Sequence, residues 1–427
     1  MVRLVYLLLG ADYFRGRWRT LWAMGALWMA AGLALFVDGL DGAIGFPVTA
    51  FAVLLGVEGL ATLVVSATGV GGQRALRVVK GLASLVAALL VIDASGRHLG
   101  NAVLSIVFGV LFLADGLLQC GAAWVVRYRR WRWVFAGGVS QVLLAVFFFQ
   151  PWPTGYAGTL PYALGLLLFF GGARMILLAR HARATREEPA AGALPASARR
   201  TYDGPPADHE AALTVHVWTP SGSARSPTRP QPVVDRYIAA VDQSGAISTG
   251  HAAMESPEGI YISLYPGVEI DRSPGEFTRV LRATPENDVP GVFQPDYTTE
   301  SKAWCPSTEQ VRIRNYDAAA LARFWNAYRR DTTYNLTHRN CSSTVSRALE
   351  AALAGTVAAR DGTGWGTLLR LLVTPELWVA AQVRRRAVTM AWTPGLTLDY
   401  ARALSMLADP RRLAWHRLWR LLPGRPG

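Results

Sequence analysis

Residues 24–38 read MGALWMAAGLALFVD, residues 80–93 KGLASLVAALLVID and residues 136–151 AGGVSQVLLAVFFFQP. These stretches recur about every 56 residues, with Gly25, Gly81 and Gly137 in matching places. Each is followed by a second apolar stretch: LLGVEGLATLV (54–64), LFLADGLLQCG (111–121) and LLFFGGARMIL (167–177). There Glu58-Gly59, Asp115-Gly116 and Gly171-Gly172 take equivalent positions. A helix needs about 20 predominantly apolar residues to cross a bilayer. The six stretches therefore predict spans near 20–37, 46–66, 78–92, 102–126, 134–149 and 159–178. The expected fold of residues 1–182 is an α-helical membrane bundle of three repeated hairpins. Glycines at matching positions let its helices approach closely, since lipid provides no hydrophobic force between them.

Basic residues orient the spans. Arg15, Arg17 and Arg19 precede the first, and Arg74, Arg77 and Lys80 lie between the second and third. Arg127, Arg129, Arg130 and Arg132 lie between the fourth and fifth, and Arg180, Arg183 and Arg186 follow the sixth. The opposite loops hold Arg97 alone, so thirteen basic residues face one. Positive charge stays on the cytoplasmic side, which predicts a bacterial inner-membrane protein with both termini in the cytoplasm. The apolar run 5–9 is too short to span or to form a signal-peptide core. Glu58 and Asp115 are ionisable groups inside apolar spans, a costly placement that marks either a proton or ion route or an internally bonded packing site.

The three-hairpin plan over about residues 15–180 resembles the HdeD-type membrane proteins, a family tied to acid resistance in bacteria. That resemblance implies a stress role and transfers no catalytic motif.

Beyond the spans the composition changes. Apolar residues make up 51% of the chain and charged residues 17%, and the apolar excess ends near residue 180. Residues 183–212, rich in Ala, Pro, Arg and Glu without periodicity, read as a flexible linker. Residues 213–362 then read as a soluble α+β domain. LTVHVWTP alternates as a strand, VVDRYIAAVD is a second candidate, and GAISTGHAAMES, GIYISLYPG and QVRIRNY follow. Leu321, Phe324, Trp325 and Tyr328 fall on one face of a helix. A second helix opens at Cys341, with Val345, Ala348, Leu349, Ala352 and Leu353 on its apolar face.

A cysteine at a helix start meets unpaired backbone N–H groups and a partial positive charge. Both favour thiolate, and the same N–H groups can hold a developing oxyanion. A histidine on a neighbouring strand can move the proton, which points to His251, with His338 as the rival base. Asn340 is positioned to cap this helix and, with Ser342, to help hold the oxyanion; Ser342 and Ser343 add polar lining. Cys305, followed by proline, reads as structural.

A GHA strand, a following strand and a later NC at a helix start resemble the circularly permuted papain-like fold over about residues 213–355. That group includes NlpC-type amidases and lecithin:retinol acyltransferase-like enzymes. The resemblance implies Cys341 as nucleophile, His251 as base and an orienting polar residue on the strand after the histidine. Tyr261, Ser263 and Tyr265 are the choices there; Ser263 is the expected one, with Glu255 behind it.

Residues 363–427 hold ten arginines against three acids, with Trp365, Trp378, Trp392, Trp415 and Trp419 interleaved. They predict a basic tail of short amphipathic helices on anionic lipid headgroups, with packing onto the soluble domain as the alternative. Three dispersed cysteines form no disulfide framework and no metal-ligand spacing, so no metal and no cofactor are expected. The net charge of +13 accompanies only two lysines, and no nucleic acid is expected as partner. The expected partner is the lipid bilayer; self-association as a homo-oligomer is left open.

Overall fold

The computed structural model describes residues 1–41, 48–66, 72–94, 98–128, 130–184, 201–218, 250–270 and 277–411, with a few short pieces between them. Two short helices come first, α1 (Val2–Leu9) and α2 (Ala11–Arg15). Six long helices follow: α3 (Trp18–Asp41), α4 (Val48–Ser66), α5 (Gly72–Ala94), α6 (His98–Val126), α7 (Trp131–Phe149) and α8 (Thr159–Ala184). Among the described residues α3, α6, α7 and α8 are long and apolar enough to cross a membrane. Leu54, Leu111 and Leu167, at matching repeat positions, are 69%, 60% and 68% exposed, as expected of a bundle surface facing lipid.

The tight helix pairs are not the expected hairpins. α4 packs on α5, α6 on α7, and α8 closes back on α3, so the second helix of each repeat packs on the first helix of the next. Glycine geometry is the cause. A Cβ built on Gly25 would lie 2.8 Å from the carbonyl oxygen of Gly172. Gly59 and Gly81 meet in the same way at 3.0 Å, as do Gly116 and Gly138 at 2.9 Å. The third contact therefore uses Gly138, not Gly137. The repeat predicted from sequence is present, with its close approaches between units.

Besides two short two-stranded sheets, Gly222–Ser223 with Ser226–Pro227 and Ala240–Val241 with Ile247–Ser248, the α+β region has two main antiparallel sheets. The first runs in the order β6–β1–β2–β3: β1 is Leu213–Trp218, β2 His251–Glu255, β3 Tyr261–Ile262 and β6 Glu309–Ile313. The second runs β7–β5–β4, with β4 Leu264–Pro266, β5 Val289–Phe293 and β7 Thr333–Tyr334. Besides single turns at Phe277–Val280 and Pro285–Asn287, its helices are α9 (Tyr297–Ala303), α10 (Ala318–Tyr328), α11 (Cys341–Ala352), α12 (Thr356–Asp361), α13 (Trp365–Val373), α14 (Pro375–Thr389) and α15 (Pro394–Ala408). Of the strand expected at VVDRYIAAVD only residues 240–241 are described, and these form part of a strand.

Alternation sorts the strands. Leu213, Val215 and Val217 on β1 and Ala252 and Met254 on β2 enter the core with Val345, Ala348 and Leu349 of α11. His216 and Trp218 point the other way, Trp218 directly opposite His251.

Three segment boundaries differ from expectation. Leu4, Val5, Leu8 and Leu9 of α1 lie in the same core as the first sheet, and the Gly355 N–H donates to the Leu7 carbonyl at 2.8 Å. The short N-terminal run is thus a core element of the α+β region. At the other end, Leu398, Tyr400, Ala401 and Leu404 of α15 are buried against that sheet and α11. Residues 213–362 and the helical part of 363–427 therefore share one core, which is the packing alternative for α15. Finally, residues 201–212 are not free linker. Arg314 binds the Gly204 and Pro205 carbonyls at 3.1 and 2.9 Å, and the Tyr202 hydroxyl donates to Asn315 at 2.8 Å.

Candidate active site

Asn340, itself in extended backbone after a turn, caps α11. Its side chain accepts from the Ser343 N–H at 2.8 Å, while the Ser343 hydroxyl accepts from the Asn340 N–H at 2.9 Å. This reciprocal pair fixes the helix start and leaves Cys341 in its first turn. The Asn340 amide also donates to the Leu336 and Trp392 carbonyls at 2.7 and 2.9 Å. It is therefore fully used as a cap, and the expected oxyanion role passes to backbone N–H groups. Ser342 is wholly buried, its hydroxyl 3.7 Å from the Cys341 sulfur.

Gly250, at φ +68°, turns the chain into β2, a conformation that any L side chain would strain. The turn sets His251 at the sheet end, beside Cys341 and coupled to it by charge. The other ring contacts are well defined. His251 Nε2 lies 2.8 Å from Ser263 Oγ and 3.1 Å from Glu300 Oε1. The Tyr265 ring stacks on the imidazole at 4.1 Å, and Trp218 lies 5.5 Å away on a tilted plane.

Ser263 stands where the chain passes from β3 to β4, between the two sheets. Tyr261, Ser263 and Tyr265 share one face by alternation, and all three reach the site. Tyr265 donates to Glu300 Oε1 at 2.7 Å and Tyr261 donates to Glu300 Oε2. Glu300, on α9, is 4% exposed and has no strand pattern to announce it. Glu255, expected behind Ser263, instead lies 3.4 Å from His216. His338 is exposed in the loop before α11 and does not line the cavity. Cys305 is half-buried, and its carbonyl accepts from the Trp218 indole at 2.8 Å.

Charge coupling sets the protonation states. Burial opposes charge on His251, yet the Cys341 thiolate and the Glu300 carboxylate outweigh it and push the imidazole up to about 9. Burial likewise raises the Cys341 thiol, and the imidazolium reverses that to a net lowering. For Glu300, burial is overcome by His251 and the two tyrosines, and its carboxyl falls to about 2. The coupling favours the thiolate–imidazolium form of the pair, beside the Glu300 carboxylate. His216, by contrast, is pushed down to about 4 by burial and stays neutral.

The array opens into a cavity of about 510 Å³ whose walls include Leu264, Tyr265, Pro266, Gln294, Trp304 and Tyr334. No protein-family model, curated protein or solved structure matches the chain.

Glu58 and Asp115 belong elsewhere. Glu58 pairs with Lys80 at 2.5 Å and accepts from Ser84 and Thr62 at 2.9 and 3.0 Å. Asp115 lacks a lysine at the matching place on α7 and takes Arg385 of α14 at 2.5 Å instead. Each carboxylate has its own cation and the third repeat has Gly171 there, which favours packing over a relay. No cluster of metal-ligating side chains occurs among the described residues.

Proposed function

We propose that the chain is a six-span bacterial inner-membrane protein, both termini cytoplasmic, carrying a cysteine hydrolase or acyltransferase of circularly permuted papain-like type. Its substrates are amide or ester bonds in lipids, lipidated chains or peptides near the membrane. The observation that carries this reading is the Cys341–His251–Glu300 array at the wall of a cavity of about 510 Å³. Thirteen basic residues against one support the orientation. Peptidoglycan lies across the membrane from such a site.

The chemistry follows from the charges. The Cys341 thiolate attacks the acyl carbon, a C–S bond forms and the carbonyl electron pair moves to oxygen, where the first N–H groups of α11 receive it. As the intermediate collapses, the C–N or C–O bond breaks and the His251 imidazolium gives its proton to the departing amine or alcohol. Neutral His251 then accepts a proton from water, or from an acceptor hydroxyl or amine, which displaces the sulfur. Glu300 and Ser263 hold the ring, and Glu300 balances its charge.

The HdeD-like plan of the bundle connects this activity with acid or envelope stress. The competing reading is a non-enzymatic membrane stress protein whose α+β region only binds. An activated acyl-ester probe applied to the full chain in nanodiscs separates them. Wild type is expected to acylate at Cys341, Cys341→Ser to lose labelling, and His251→Ala to slow it on the order of 10²-fold. Absence of wild-type labelling, or labelling unchanged in Cys341→Ser, leaves the binding reading.

A further inference from the structure

Helix α13 presents an unusual face. Its inward side, Thr367 and Leu371, is buried in the α+β core. Its outward side shows Trp365, Leu369 and Val373, spaced i, i+4 and i+8 along one stripe. Leu369 is 62% and Val373 73% exposed, and the nearby Trp378 is 44% exposed. A short helix with apolar groups on both sides needs an apolar neighbour on each. Arg370 alone adds charge to the outward side.

The position of α13 identifies the neighbour. Arg17 donates to the Thr363 carbonyl at 2.7 Å, and its guanidinium lies 5.8 Å from the Trp365 ring. The Tyr13 hydroxyl donates to the Gly364 carbonyl at 3.3 Å. Trp18, the residue after Arg17, is the first of the Trp18–Leu40 span. Arg183, near the end of the last span, stacks over the Trp18 ring at 4.9 Å. The first residues of α13 are thus tied within one hydrogen bond to the residues just before the first candidate span, where a bilayer around the bundle would pass from acyl chain to headgroup. Tryptophan with arginine close by is the composition of that boundary.

We propose that α13 is an interfacial anchor, with its Trp365–Leu369–Val373 stripe sunk into the leaflet that borders the α+β region. The occupant of this face is phospholipid. The anchor adds a contact independent of the spans and fixes the tilt of the α+β region against the membrane. It does not depend on the cysteine chemistry, so either can fail alone.

Photo-crosslinking tests it in the full chain. A photoreactive amino acid at position 369 or 373, in native membranes, is expected to give adducts with the mass of a phospholipid. The same residue at Asp208, a fully exposed position, should give none. Adducts to a second copy of the chain, adducts to another protein, no adduct at 369 and 373, or equal lipid adducts at 208 would each overturn the proposal. The unaltered chain offers a second measurement. In nanodiscs holding a phospholipid with a diazirine near its headgroup, the peptide covering 365–373 is expected to be labelled; labelling confined to the spans would contradict the anchor.

Discussion

The bundle and the α+β region are built by opposite rules. In the bundle one contact is made three times: Gly25 with Gly172, Gly59 with Gly81 and Gly116 with Gly138. In the α+β region the deciding contacts occur once each and join distant parts of the chain, as Glu300 joins His251 and α1 joins the first sheet. A repeated contact advertises itself as sequence period. A unique one does not. The two regions should therefore respond differently to mutation, and three sets of substitutions test how far the contrast extends.

The largest stability effect is expected in the α+β region. Leu8 of α1 is fully buried in its core, so Leu8→Ala should cost about 2–5 kcal/mol, in the range of core truncations. Leu27 of the bundle is 66% exposed on a surface read as lipid-facing, and Leu27→Ala should be nearly silent. Denaturant unfolding of both variants in nanodiscs compares them. Equal effects would mean that α1 is not a core element.

A comparable loss, read in activity, is expected at the unique carboxylate. Glu300→Gln keeps the shape and removes the charge, and should slow acylation of Cys341 on the order of 10²-fold. It should also alter pH-dependent stability. The Glu300 carboxyl lies at about 2, below the usual carboxylate value near 4.3, so its contribution is present above that value and lost as pH falls toward about 2. His251 lies at about 9, above its usual 6.5, so its contribution is whole below 6.5 and lost as pH rises through about 9. Glu300→Gln should flatten both limbs. Unchanged limbs and unchanged acylation would remove Glu300 from the site.

The smallest effect is expected in the repeated contact. A Cβ on Gly25 would meet the Gly172 oxygen at 2.8 Å and Ile176 Cγ1 at 2.9 Å, whereas Gly121 has open space around it. Gly25→Ala should destabilise the bundle by about 1–3 kcal/mol as overpacking does, with Gly121→Ala neutral or better. Thermal unfolding in nanodiscs gives the difference. If both substitutions are silent, the helices do not pack at their glycines.

What could be read from sequence follows the same division. The helices, the repeat and the glycine positions were legible because each is local or periodic. Which helices pair was not, since an i to i+56 spacing fits contacts within a repeat as well as between repeats. In the site, Cys341 was legible through a helix start and His251 through a strand beside it, while Ser263 came only from what the papain-like resemblance implies. Glu300 was not. It lies 37 positions after Ser263 in a polar helix, and only the burial supplied by Tyr261 and Tyr265 gives it a role. The arginine-rich tail read as a surface segment because its composition hides α15, whose apolar residues meet a sheet made 80–190 residues earlier.

The central claim is that Cys341 and His251 form a thiolate–imidazolium pair. Its direct measurement is the pH profile of Cys341 acylation by an unactivated amide or alkyl ester, followed peptide by peptide so that Cys120 and Cys305 serve as internal references. The pair predicts a rate already high at neutral pH, because the thiol is held below its ordinary value, and a fall above about pH 9 as His251 loses the proton needed by the leaving group. In His251→Ala the acid limb should move to higher pH and the alkaline fall should vanish. A wild-type rate that rises only as an ordinary thiol ionises, with no alkaline fall and no response to His251→Ala, would contradict the account.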